Sequence, residues 1–69
     1  MDRLDANYKM AMDWTKTTTT RLKAVDRLCD VVRHSSNEAN REKALQYLDN
    51  IANAIGIDDA VKERAQDSL

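Results

Sequence analysis

The stretch Arg41-Glu-Lys-Ala-Leu-Gln-Tyr-Leu-Asp-Asn-Ile-Ala-Asn-Ala-Ile-Gly56 constrains the fold most. Ala44, Leu45, Leu48, Ile51, Ala52 and Ile55 repeat at three and four residues, the spacing of a helix with one buried face. Glu42, Gln46, Asp49, Asn50 and Asn53 fall mostly on the other side. Gly56 follows the stripe, where a helix end favours a residue that tolerates the left-handed conformation. Every other segment has to find a place against this helix.

A second stripe precedes it. Leu22, Val25, Leu28 with Cys29, and Val32 line one face of a helix over 19–34. Between the two stripes, Ser35 followed three residues later by Glu38 has the form of a capping box. It predicts a helix over 36–55 after a turn so short that the two helices run antiparallel. Leu22, Val25, Leu28 and Val32 then face Leu45, Leu48, Ile51 and Ile55. After Gly56, Asp58 or Asp59 can cap a short helix over 58–66, with Val61 and Ala65 inward. At the other end, residues 2–14 predict a first helix, capped by Asp2 and carrying Asp5 in its first turn. Thr15-Lys-Thr-Thr-Thr-Thr20 lowers helix propensity without a Gly or Pro to break the chain. The tract reads as a bend or loop, the alternative being one helix running through. The fold class is therefore all-α: a short N-terminal helix on a long antiparallel helical hairpin, with a short C-terminal helix, in one domain spanning 1–69.

A chain of 69 residues buries a thin core, and small domains in this position rely on a disulfide, a metal or a partner subunit. The single cysteine, Cys29, permits no intrachain disulfide, and the single histidine, His34, stands five residues away, off any recognised zinc spacing. Self-association or a partner is left. The net charge of −1 argues against a DNA binder or general nucleic-acid binder. No apolar run is long enough to cross a membrane or act as a signal peptide. The chain is expected to be cytoplasmic, with a reduced thiol.

No enzyme motif is present, and nothing calls for a cofactor or metal. Cys29 and His34 lie on different faces of their helix, so a Cys/His nucleophile lacks its geometry. Asp26–Asp30 have metal-carboxylate spacing, and Glu42–Gln46 set a carboxylate and an amide at the same step, but a solvated helix face is the ordinary explanation. One polar stripe stands out. Lys16, Thr20, Lys23 and Arg27 share a face if their helix begins early, and a hydroxyl among cations suits a phosphate. The ordinary alternative pairs Lys23 and Arg27 with Asp26 and Asp30 on the surface. Met10, Met12 and Trp14 form a separate apolar patch that suits an interface core.

Arg41, Glu42, Lys43, Leu45, Leu48, Ala52, Asn53, Ala54 and Ile55 resemble the second hairpin helix of the phage anti-CBASS cyclic-nucleotide sponges. The chain departs from that family in having no Pro before the hairpin turn and in continuing beyond Gly56. The resemblance implies a short helix on a helical hairpin, assembled as a compact hexamer without catalysis. It implies sequestration of cyclic di- or trinucleotide immune signals in the host cytoplasm. It also implies that Tyr8 stacks on a base and Lys23 meets phosphate, with Thr20 and Arg27 in support. The alternative is a small helical protein–protein interaction or regulatory module that docks through Met10, Met12 and Trp14.

Overall fold

The computed structural model describes residues 3–69, in four helices that pack on one another with no strand among them. They are α1 (Arg3–Met12), α2 (Thr18–His34), α3 (Glu38–Ala52) and α4 (Asp59–Gln66). Asp2, the expected cap of the first helix, lies outside the described residues.

Each boundary has a local cause. Helix α1 stops at Met12 rather than running to 14, because the Asp13 carboxylate accepts from the Thr15 N–H at 2.9 Å and from its hydroxyl at 2.5 Å. Such a turn competes with the next helical hydrogen bond. The threonine tract bends the chain as far as Thr17 and is helical from Thr18, so α1 and α2 are separate and α2 starts one residue before 19. Thr17 is extended, and its hydroxyl accepts from the Thr20 N–H at 3.2 Å, so the tract caps α2 and then enters it.

The capping box expected at Ser35 and Glu38 does not form. Ser35 ends α2, its N–H donating to the Val31 carbonyl at 3.0 Å. Asn37 caps α3, accepting from the Asn40 N–H at 3.2 Å, so the helix begins at Glu38 rather than at 36. Asn is as good a cap as Ser, and Asn37, two residues further on, is the one that holds the extended cap conformation with the Asn40 N–H in reach.

Helix α3 also ends earlier than the apolar stripe. The Asn53 side chain donates to the Asp49 carbonyl at 2.8 Å, and Ile55 falls beyond the helix, fully exposed. Gly56 does adopt positive φ (78°), but within the connector, not next to the end of α3. Helix α4 is capped by Asp58, which accepts from the Ala60 N–H at 2.9 Å.

Helix α2 packs against all three others, and α3 touches α1, α2 and α4. Val25 and Leu28 of α2, Leu48 and Ile51 of α3, and Val61 of α4 have no accessible surface. Ala11, Ala24, Ala44, Ala52 and Ala65 fill the rest of the core with Leu4 and Cys29. Of the eight residues expected to face one another, Leu22 and Val32 are only partly covered, and Leu45 and Ile55 are exposed.

Candidate functional site

On α1, Asp5 and Tyr8 are three residues apart and share a side. On α3, Lys43 and Tyr47 are four apart and do the same. The two pairs meet. The Tyr8 and Tyr47 rings stack with centroids 4.4 Å apart and planes 13° from parallel. The Tyr47 hydroxyl donates to Asp5, and the Lys43 ammonium lies 3.2 Å from the same carboxylate and 5.8 Å from the centre of the Tyr47 ring. Tyr8, expected to stack on a base, thus has one face covered by another tyrosine. Asp5 and Tyr47 did not stand out as site residues in the sequence. The four-residue step from Lys43 to Tyr47 was the available signal.

The other flank of α1 looks toward α2. Arg3, Ala6, Asn7 and Met10 line an open groove of about 370 Å³ whose opposite wall carries Arg27. At 3.6 residues per turn this flank is roughly 150° round α1 from Tyr8. Lys23 precedes Arg27 by one turn of α2 and is exposed. The expected site residues therefore divide, with Tyr8 on the α3 side of α1 and Arg27 on the α2 side.

Neither Lys23 nor Arg27 forms an ion pair among the described residues. Of their expected surface partners, Asp26 instead accepts from Arg64 of α4 at 2.8 Å, and Asp30 forms no ion pair among the described residues. Thr20 belongs to the cap of α2, where its hydroxyl accepts from Thr17 at 2.9 Å. Lys16 lies in the turn before the helix, so the basic face of α2 begins at Thr20.

At the α1–α2 junction, Arg21 is only 7% exposed and its Nε donates to the Ala11 carbonyl at 2.9 Å. It also acts on the two capping carboxylates. Asp13 is held below the usual carboxylate range first by the Thr15 hydroxyl, then by the Thr15 N–H, with smaller help from Arg21. Asp58 is lowered first by the Ala60 N–H, then by the Thr18 hydroxyl, again with a smaller share from Arg21. Thr18 donates to Asp58 at 3.0 Å, which ties the start of α2 to the start of α4.

Between α2 and α4 lies a second open groove of about 570 Å³, lined by Asp26, Asp30, Arg33, Arg64 and Asp67 together with Cys29 and Ser68. The Cys29 sulfur sits 2.5 Å from the Ser68 hydroxyl, while His34 is exposed at the end of α2. Among the described residues no cluster of His, Cys, Asp and Glu could hold a metal ion, and no helix is long and apolar enough to cross a membrane.

Comparison of the chain with protein-family models, curated proteins and solved structures gives no match.

Proposed function

We propose that the chain is a non-enzymatic binding protein that sequesters a cyclic di- or trinucleotide, in the manner of the sponges its 41–55 segment resembles. The observation that carries this reading is the pair of cations that Lys23 and Arg27 set one turn apart on α2. Neither forms an ion pair among the described residues, and Arg27 shares a groove with α1, in a chain whose acids outnumber its Lys and Arg. Phosphate oxygens supply the partners such a pair lacks. In this reading α2 and α3 form the antiparallel hairpin, and several copies assemble, as a hexamer if the resemblance extends that far.

Calorimetry against a panel of cyclic di- and trinucleotides tests the reading. Stoichiometric binding of at least one member is expected. Silence across the panel would end the reading and favour the interaction module, for which Trp14, 84% exposed, is the supporting observation.

A further inference from the structure

The groove between α1 and α2 has the composition of an anion site. Arg3 approaches from α1 and Arg27 from α2, and among the described residues no lining side chain is acidic. Neither guanidinium forms a hydrogen bond or ion pair with a described residue. Both are exposed and line one groove, so an anion entering it meets two guanidinium groups at once. Among the described residues Lys43 pairs with Asp5 and Arg64 with Asp26, whereas Arg3 and Arg27 keep their donors open toward the groove they share. Asn7 adds an amide to the wall, and Ala6 and Met10 make the rest of it apolar. The groove's size, about 370 Å³, falls within the range of small-molecule sites.

We propose that this groove binds the phosphate of a nucleotide, with Arg3 and Arg27 gripping the oxygens and Ala6 and Met10 packing against the flat, less polar part. Guanidinium groups offer paired donors that match phosphate oxygens, which a lysine does not. A thioether side chain adapts its shape to a planar ring. The proposal rests on the nucleotide-binding reading for the identity of the ligand, and adds Arg3, Asn7 and Met10, which that reading did not contain. It places the phosphate on the flank of α1 away from the Tyr8–Tyr47 stack, so binding here does not require Tyr8.

The test uses the full chain, with a cyclic dinucleotide and with pyrophosphate as separate probes, followed by calorimetry and by amide chemical shifts. Arg3→Gln and Arg27→Gln are each expected to weaken cyclic-dinucleotide binding tenfold or more, and Arg27→Lys to recover only part of the loss. Helicity should not change, since neither guanidinium bonds to a described residue. Tyr8→Ala should leave phosphate contact in the groove intact, seen as unchanged shifts at Ala6, Asn7 and Met10. If the cyclic dinucleotide binds and both glutamine variants bind it as tightly as the parent, the groove is not the site, although the sequestration reading survives. If no cyclic nucleotide binds, yet pyrophosphate moves the amides of Ala6, Asn7 and Arg27 in the parent and not in Arg27→Gln, the groove is upheld and the sequestration reading falls. If neither probe has any effect, both are overturned.

Discussion

Arg21 shows how much a single side chain can hold together. Its stem is buried in α2, its Nε holds the last turn of α1, and its charge reaches Asp13 and Asp58 on two connectors. Arg21→Met keeps most of the apolar stem but leaves the Ala11 carbonyl without its donor. A hydrogen bond to a charged group is worth about 1.5–3 kcal/mol, and a loss of that order is expected in urea unfolding. An unchanged midpoint would show that α1 is held by packing alone. The two carboxylates make a second prediction. Their folded pKa values lie below the ordinary 3.8, so their contribution is present above that value and is lost as pH falls through the folded pKa. Asp58→Asn accepts a hydrogen bond at any pH, so its melting temperature should fall less than the parent's below about pH 4. Parallel acid profiles for the two proteins would remove Asp58 from the account.

At the scale of the elements, caps and core positions predict different losses. Asn37→Ala should cost roughly 0.5–2 kcal/mol, since it removes the acceptor for the Asn40 N–H. Leu48→Ala, at a site without accessible surface, should cost roughly 2–5 kcal/mol, while Ile55→Ala should stay within about 0.5 kcal/mol. Chemical denaturation of the three variants checks the order, and an Ile55→Ala loss near that of Leu48→Ala would contradict the end of α3 at Ala52. These variants also mark what could be read from the sequence. Val25, Leu28, Leu48 and Ile51 announce themselves by helical spacing, because burial on one face leaves a period. Ile55 continues the same period but lies outside the helix, since the Asn53 side chain turns back to Asp49 and competes with the next turn. Arg21 lies on the face of Val25 and Leu28 by the same arithmetic, and only its charge hid it. The groove of Arg3 and Arg27 was half legible: Arg27 stood in the basic stripe of α2, but Arg3 reaches the same place through the docking of α1. Long-range docking leaves no periodic trace in a sequence.

The whole molecule returns to the question of how so small a chain is stabilised. Five of its core positions are alanines, and its fully buried large side chains are Leu28, Leu48, Ile51, Val25 and Val61. Trp14, Ile55 and Leu69 remain exposed. An alanine-rich core buries little apolar area per residue, and burial of that area is the main favourable term in folding. Association between copies would add area that one chain cannot bury by itself. Sedimentation at micromolar concentration is therefore expected to show a species well above the 7.9 kDa of a single chain. Trp14, the only tryptophan, reports on the same event. If its exposed ring enters an interface, its emission should lie to the blue in the assembly and move to the red on dilution. Trp14→Ala should then weaken association without altering helicity, because the ring contributes little to the core of its own chain. A blue shift lost in parallel with the high-mass species would place Trp14 between subunits. A high-mass species with solvent-like emission would place the contact elsewhere, and a stable folded monomer would show that the four-helix core suffices.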